Sequence, residues 1–240
     1  MVNKLYSGLS RVCHTFYRMY FPHQKIAATI DNYLRQYNCN NIVFFGGLTD
    51  VAVLLKKKGY NLTFVDYTSE MVHEAKKTLK GVTFKVSDMR NLNLSQKQDA
   101  IILMGRIMTY MYTDKDMLRA LAAFKRNLKP GGILLFDNYE TGKIDKVNYF
   151  QGTIRLSDKT RVLRRVSTIR QLKKQPALYN WDCVYEENIN GKKILYKDQN
   201  HLLRAVTREE IKSLVNKSSL KFIKNSPNFE SQSFITLAQK

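Results

Sequence analysis

The stretch 42–66, IVFFGGLTDVAVLLKKKGYNLTFVD, decides the fold of this chain. Its first four residues are apolar and precede Gly46-Gly47, which is typical of a buried parallel strand that ends in a tight turn. A helix follows, and Gly59 closes it in the position just past the helix end. A second strand then ends at Asp66. This order indicates the beginning of an open parallel sheet with helices on both faces.

The alternation of strands and helices continues along the chain. Further strands are predicted at residues 82–86, 99–104 and 133–137, with helices at 68–80 and 114–128. Apolar residues also recur at helical spacing before the sheet, at Leu5, Leu9, Val12, Phe16 and Tyr20. We therefore predict an α/β, Rossmann-like fold with a seven-stranded, mostly parallel sheet.

In residues 147–203, strand-like stretches follow one another without intervening helices. These residues are predicted to form an antiparallel insertion beside the main sheet. Strand-like stretches occupy residues 149–156, 161–172, 179–189 and 193–203. Asn190-Gly191 separates the last two and is a hairpin signal. In this division residues 1–40 form N-terminal helices, and residues 41–146 and 204–240 form the main domain.

The chain has 240 residues and a formal net charge of +20. The excess of lysine and arginine is spread over the whole chain, so we interpret it mainly as a solvated surface. Residues 155–174 are the exception, because they hold eight basic residues and one acid and could bind phosphate or RNA. Three scattered cysteines favour reduced thiols, and no apolar run is long enough to cross a bilayer. We expect a cytoplasmic protein.

Chemically distinctive residues follow four of the predicted strands, at the sheet edge where open parallel sheets bind ligands. They are Gly46-Gly47, Asp66, Ser87-Asp88-Met89 and Met104-Gly105-Arg106. The glycine pair lets backbone approach a ligand, and Asp66 lies 20 residues further on, where a carboxylate can bind ribose hydroxyls. A polar residue and a methionine after the third strand suit an adenine ring. Together these residues predict an adenosine pocket.

Residues 42–137 resemble the class I S-adenosylmethionine (SAM)-dependent methyltransferases. The matching segments are IVFFGGLTDVAVLLKKKGY, LTFVDYTSEMVHEAKK, FKVSDMRNL, DAIILMGRIMTYM and LKPGGILLFD. The chain is most similar to the small-molecule branch that includes glycine and amino-sugar N-methyltransferases. The resemblance implies SAM as the cofactor and a small-molecule acceptor, in particular an amine, bound under the insertion.

The resemblance also implies which residues hold the cofactor. Asp66 would bind the ribose, Tyr67 and Met71 would flank the adenine, and Asp88-Met89 would hold its edge. The complete expected set is Gly46, Gly47, Asp66, Tyr67, Met71, Asp88, Met89 and Met104.

The chain departs from the family pattern around the methionine half of SAM. Phe44 stands where relatives carry an acidic residue, and the glycine loop is one residue short. Cys13-His14 stands where relatives often carry a Tyr-Asp pair. A hydrogen bond to a charged group contributes about 1.5–3 kcal/mol, so losing one weakens binding roughly ten- to a hundredfold.

Four residues are candidates for the acceptor side of the reaction: His14, Arg106, Tyr110 and His201. The histidines could accept a proton near neutral pH, although a plain helix or surface position is the alternative for each. Arg106 would suit a carboxylate or phosphate on the acceptor, and Tyr110 could touch the acceptor or only pack. The four histidines lack the spacing of a metal site.

Three hypotheses about function remain open from the sequence. The first is a SAM-dependent methyltransferase acting on a small molecule. The second is a catalytically impaired relative kept as a binding or scaffold protein, because Phe44, the short loop and Cys13-His14 coincide. The third is an RNA methyltransferase, suggested by the net charge and residues 155–174. That basic stretch lacks the interleaved aromatic residues that stack on bases.

Overall fold

A computed structural model describes residues 8–144, 148–158, 161–189 and 191–240. Five parallel strands form the centre of the sheet in the order β3-β2-β1-β4-β5. They are β1 (Asn41–Phe45), β2 (Asn61–Asp66), β3 (Thr83–Val86), β4 (Gln98–Leu103) and β5 (Leu128–Glu140). Two antiparallel strands, β11 (Ser233–Gln239) and then β10 (Lys221–Pro227), complete the far side of β5. The predicted seven-stranded, mostly parallel core is confirmed.

Helices cover both faces of this core. They are α1 (Ser10–Tyr20), α2 (His23–Gln36), α3 (Thr49–Lys57), α4 (Ser69–Thr78), α5 (Asp114–Asn127) and α6 (Arg208–Lys217). Ile42 and Phe44 of β1 pack among α1 to α4, whereas Val43 and Phe45 pack among α5 and α6. A strand whose two faces are both covered must be apolar throughout, which explains the unbroken run at 42–45.

Local capping chemistry sets the helix boundaries. The Thr68 side chain caps α4 by accepting from the Met71 N–H, and Thr207 with Glu210 forms a capping box at α6. Gly59 ends the first crossover helix with φ of +99°, a conformation that glycine adopts at little cost. Among the described residues, no helix is long and apolar enough to cross a membrane.

Four antiparallel strands follow β5 and form the layer that we call the roof. They are β6 (Gly152–Ser157), β7 (Arg161–Leu172), β8 (Gln175–Ile189) and β9 (Lys192–Val206), paired in chain order. The end of β9 pairs in parallel with β5 at Tyr139 and Glu140, so the roof and the core share one continuous sheet. Leu5 and Asn190, named in the helix and hairpin predictions, lie outside the described residues.

Candidate active site

The glycine turn and Asp66 are packed against each other at the carboxyl edge of the sheet. The Gly46 N–H donates to the Val65 carbonyl at 2.8 Å, which ties the turn to the neighbouring strand β2. A Cβ on Gly46 would lie 2.0 Å from Asp66 Oδ2, so no larger residue fits there. Gly47 has φ of +67°. The shortened loop therefore still brings backbone N–H groups against the carboxylate.

The Asp66 carboxylate is partly buried and surrounded by donors. Its Oδ1 accepts from the Thr68 N–H at 2.9 Å and from the Thr68 hydroxyl at 3.2 Å. Burial raises the pKa of Asp66 to about 6, against the opposing effect of hydrogen bonds from Thr68, Tyr67 and Gly47. The group is thus an anion at neutral pH, and a desolvated carboxylate of this kind is a strong acceptor for hydroxyl groups.

A cavity opens beside Asp66 at the ends of β1, β2, β3 and β4, where the sequence predicted an adenosine pocket. Six predicted cofactor residues line it together, namely Gly46, Gly47, Asp66, Tyr67, Asp88 and Met89. The remaining lining residues are Phe45, Thr68, Ser87, Arg90, Ile107, Tyr110, Met111 and Tyr112. Carboxylate, aromatic and thioether groups therefore converge on one cavity, from segments that are distant in sequence.

Asp88 differs from Asp66 because its carboxylate is already engaged. Arg90 donates to both of its oxygens, with Nη2 2.6 Å from Oδ2, and also pairs with Asp116 at 3.0 Å. Partial burial opposes ionisation, but the Arg90 hydrogen bonds dominate and hold the pKa of Asp88 below its ordinary value. The Asp88 carboxylate can therefore accept a hydrogen bond from an adenine ring only through lone pairs that Arg90 does not occupy.

The structure does not place Met71 and Met104 on the cavity wall. Met71 is fully buried in the first turn of α4, beneath the turn that follows Asp66. Met104 is fully buried and borders a separate cavity with Ile26 and Phe229. Both side chains fill the core, so contact with a nucleotide would require them to leave it.

The departures around the methionine half prove to be packing features. Phe44 is completely buried and stacks on Phe64 with ring centroids 6.4 Å apart, away from the cavity. Cys13 is also completely buried. His14 is half-buried, does not line the cavity, and its burial lowers the pKa of its imidazole. An apolar ring at Phe44 thus replaces the charge that relatives place there.

Arg106, which was predicted to contact the acceptor, is buried and does not line the cavity beside Asp66. Its guanidinium is buried, pairs with Glu230, and lies over the rings of four aromatic residues at 4.9 to 5.5 Å. The rings belong to Phe21, Tyr139, Tyr149 and Phe229. Its backbone sits in the left-handed region with φ of 61°, which turns the side chain into this aromatic box. A substrate anion has no route to it that keeps the box intact.

The side chains of Tyr110 and His201 are in contact. Neither the strand pattern nor the residue spacing predicts this contact. Tyr110 belongs to the short 3-10 helix Ile107–Tyr110 after β4, and its hydroxyl lies 3.0 Å from His201 Nε2. His201 Nδ1 lies 2.9 Å from Asp198 Oδ2. Tyr110 is half-buried on the cavity wall, whereas His201 and Asp198 are buried under the roof.

Asp198 is the functional-site residue that sequence reasoning missed. In a regular strand, residues three apart point to opposite faces, so Asp198 and His201 should not meet. The pairing of β9 with β8 shifts here, because Trp181 opposes His201 while Cys183 opposes Asp198. This β-bulge turns both side chains to the inner face. An Asp-x-x-His spacing inside a strand, with Asn200 able to adopt a positive φ, was the available signal.

In the basic stretch at residues 155–174, of which 159 and 160 lie outside the described residues, the described arginines do not form one continuous positive surface. Arg165 points inward and is buried among Phe16, Tyr149 and Trp181, with ring distances of 4.3 to 4.9 Å. Three further arginines of β7 form ion pairs: Arg161 with Glu187, Arg164 with Glu186 and Arg170 with Asp182. Alternation along β7 splits the cluster between two faces, so its charge density is lower than the sequence indicates.

Part of the chain is similar to a known family. Residues 46–132 match the family model described as "Methyltransferase domain". This match identifies a methyltransferase domain in that part of the chain. It is 30% identical to YqeM of Bacillus subtilis (strain 168) over 105 residues, which are 42% of each chain. It is 29% identical to the dTDP-3-amino-3,4,6-trideoxy-alpha-D-glucopyranose N,N-dimethyltransferase of Streptomyces venezuelae over 73 residues, 30% of this chain and 31% of that one.

The chain matches solved structures over nearly its whole length. Streptomyces venezuelae DesVI superposes with a TM-score of 0.82 at 17% identity, covering 93% of this chain and 94% of that one. SAM-bound CalS10, an amino pentose methyltransferase from Micromonospora echinaspora, gives 0.78 at 17% identity, covering 100% and 98%. The predicted class I methyltransferase fold is confirmed by these structures. The curated relatives above are matched over less than half of their length.

Proposed function

We propose that this chain binds SAM in the cavity beside Asp66 and transfers its methyl group to a small-molecule amine. The observation that supports this most is the Gly46–Asp66 contact. A turn with no room for a side chain faces a desolvated carboxylate at the end of β2. That pairing suits a ribose whose hydroxyls donate to Asp66 while backbone packs closely alongside.

The rest of the cavity suits an adenine ring and a sulfonium. Tyr67 is 49% exposed at the cavity edge and is free to rotate over a base, and Met89 offers a thioether on the opposite segment. Ile107 and Met111 supply apolar wall near the reactive end. The missing acid at Phe44 leaves the amino group of the methionine half with one charged partner fewer, so we expect weaker SAM binding than the family pattern would give.

Bound SAM supplies an activated methyl group that is displaced in line by the acceptor. The chain's own residues would orient the two reactants and exclude water. The cavity wall at Tyr110 and Met111 holds the cofactor side. We infer that the acceptor binds on the side of the roof, where His201 of its buried inner face lies next to Tyr110 of the cavity wall.

An amine acceptor is supported from two directions. The relative from Streptomyces venezuelae is named for an amino sugar, and CalS10 is described as an amino pentose methyltransferase. In this chain, His201 and Tyr110 meet where the roof joins the cavity, and they provide a hydrogen-bonding group suited to an N–H donor. A hydroxyl acceptor would need stronger deprotonation than a neutral amine, which already carries its nucleophilic lone pair.

Calorimetry with SAM and with S-adenosylhomocysteine tests the cofactor assignment directly. We expect both to bind, and Asp66→Asn to weaken SAM at least tenfold because an amide cannot accept from both ribose hydroxyls. Glu209→Gln, which changes an exposed carboxylate on α6 outside the cavity, serves as the matched control. Absence of binding by the unchanged protein at millimolar concentration would disprove the proposal.

Release of S-adenosylhomocysteine tests the acceptor assignment. The panel should contain a dTDP-linked 3-amino sugar, free amino sugars and glycine, with alcohol analogues as controls. Turnover on an amine supports the proposal. Binding of SAM without turnover on any amine would instead support the second candidate, a binding protein that has kept the fold. The buried Phe44 and the engaged Asp88 carboxylate are the observations that favour that candidate.

A further inference from the structure

A buried hydrogen-bonded series leads from the cofactor cavity into the roof. The Tyr110 hydroxyl on the cavity wall lies 3.0 Å from His201 Nε2, and His201 Nδ1 lies 2.9 Å from Asp198 Oδ2. The side chains of His201 and Asp198 are 0% and 2% exposed. Three titratable groups at hydrogen-bonding distance, two of them without contact with water, need a reason beyond stability, because burying them is unfavourable.

Donor and acceptor rules fix the direction of this series. An ionised carboxylate only accepts, so Asp198 takes the hydrogen on His201 Nδ1. In the neutral imidazole, Nε2 is then the acceptor and the Tyr110 hydroxyl is its donor. With its hydrogen directed at His201, the Tyr110 oxygen presents lone pairs, and Tyr110 is the member of the series that lines the cavity.

We propose that Tyr110, His201 and Asp198 take the proton from the methyl acceptor, with Asp198 as the residue that orients His201. This rests on the function proposed above. An acceptor ammonium gives one proton to the Tyr110 oxygen as the hydroxyl hydrogen passes to His201 Nε2, leaving a neutral amine and an imidazolium beside Asp198. The amine lone pair then forms the N–C bond while the C–S electron pair stays on sulfur. After the methylated product leaves, His201 returns its proton through the Tyr110 hydroxyl to solvent that enters the cavity.

The groups around Asp198 and His201 include two thiols, one arginine and one aromatic ring. Cys13 of α1 and Cys183 of β8 lie near Asp198, and burial raises the pKa of both thiols, to about 12 for Cys183, so both are neutral. Arg165 of β7 acts electrostatically on both thiols and supplies the positive charge on this side. Trp181 packs edge-on against the His201 ring at 5.5 Å. Asp198 is the carboxylate that lies at hydrogen-bonding distance from His201, and it can therefore stabilise an imidazolium there.

The tautomer of His201 can be measured without knowing the acceptor. Nitrogen NMR of 15N-histidine-labelled protein saturated with SAM reports four histidines, and His201→Asn assigns the signal. We expect the Nδ1–H tautomer, with Nε2 as acceptor, and a change of tautomer in Asp198→Asn. An Nε2–H tautomer in the unchanged protein, or the same tautomer in both proteins, would overturn the proposal.

The second test measures the kinetics of methyl transfer to the amine that gives the highest turnover. Asp198→Asn, Tyr110→Phe and His201→Asn should each lower kcat by about 10²–10⁴. Asp198 does not line the cavity, so Asp198→Asn should leave SAM affinity within about twofold. Because the three act as a unit, Asp198→Asn combined with His201→Asn should be no slower than the worse single variant.

The control is Glu186→Gln, on the outer face of the same roof strand β8, where Glu186 pairs with Lys193 at 3.0 Å. It should leave kcat and the pH profile unchanged. If SAM binds and turnover proceeds equally in Asp198→Asn, the proposal fails while the proposed function stands. If SAM binds to none of these proteins, the proposed function fails first, and calorimetry separates the two results.

Discussion

Gly46 and Asp66 show how a single contact links the turn to the ligand site. The glycine is there because the carboxylate of Asp66 occupies the space where a side chain would be. The carboxylate, in turn, is held by Thr68 and by backbone N–H groups. Sequence reasoning found both residues from their spacing, but it treated the glycine as making room for a ligand. In the structure, the glycine instead leaves space for the carboxylate of Asp66.

Gly46→Ala should therefore disturb Asp66 before it disturbs anything else. A Cβ at 2.0 Å from Oδ2 forces the carboxylate to move, so we expect SAM affinity to fall at least tenfold and the free energy of unfolding to fall by about 1–3 kcal/mol. Chemical denaturation and calorimetry measure the two effects. In an Asp66→Ala background the stability loss should shrink, and an equal loss in both backgrounds would contradict this explanation.

Protonation of Asp66 should make SAM binding depend on pH. Burial raises the pKa of Asp66 to about 6, so the carboxylate that we propose accepts from the ribose is ionised above this pH and protonated below it. We expect affinity to be constant above about pH 7 and to fall about tenfold per unit below pH 6. Calorimetry across pH 5–8 measures this. Asp66→Asn should show a flat profile between pH 5 and 8 if Asp66 is responsible.

The buried pair of Arg106 and Glu230 carries a prediction about stability. Arg106→Met removes the cation but leaves Glu230 buried without its partner, which costs about 3–5 kcal/mol in the free energy of unfolding. Combining Arg106→Met with Glu230→Gln should recover most of that loss. Urea unfolding of the four proteins gives the coupling. If Arg106→Met and the double variant were equally stable, the pair would not be coupled, and Arg106 would again be a candidate for binding the acceptor.

At the scale of elements, boundaries were predictable where local chemistry sets them. Thr68, Gly59 and Thr207 mark helix ends by hydrogen bonds or conformations that reach only a few residues away. The β-bulge of β9 was not predictable, since it depends on how two strands align over their whole length. The meeting of Tyr110 with His201, 91 residues apart, depends on that bulge and on the docking of the roof.

Thr207→Ala should show what one such boundary contributes. The capping box satisfies the N–H groups of Thr207 and Glu210 at the start of α6. Loss of the hydroxyl should lower the free energy of unfolding by about 1 kcal/mol and leave SAM binding unchanged. Thermal and urea unfolding measure this. Thr207→Ser keeps the hydroxyl and should stay within a few tenths of a kcal/mol of the unchanged protein.

At the scale of the whole molecule, an open and mostly parallel sheet with helices on both faces could be predicted, because a strand-helix repeat allows few topologies. The roof was predicted as a separate antiparallel layer, and the structure adds that it continues the main sheet through β5 and β9. Helix α1 is packed between them, since Phe16 contacts Tyr149 and Tyr185. The net charge of +20 did not predict a binding surface, because β7 distributes its arginines over its two faces.

A shared sheet predicts that roof and core unfold together. The chain has one tryptophan, Trp181, and it is buried in the roof. Its fluorescence should therefore report the same urea midpoint as far-ultraviolet circular dichroism, which reports the whole chain. Fluorescence that changes at a lower urea concentration than the dichroism would show that the roof opens by itself.

The joint between β5 and the end of β9 also bears on how such proteins diversify. The chain leaves the core after Glu140 and returns at Val206, and these two residues are paired, with the Thr141 N–H donating to the Val206 carbonyl at 3.1 Å. Because the two ends of the roof segment already lie side by side, its length places almost no strain on the core. Recombination at this joint could exchange one roof for another, so that a lineage acquires new acceptors while inheriting its nucleotide pocket unchanged.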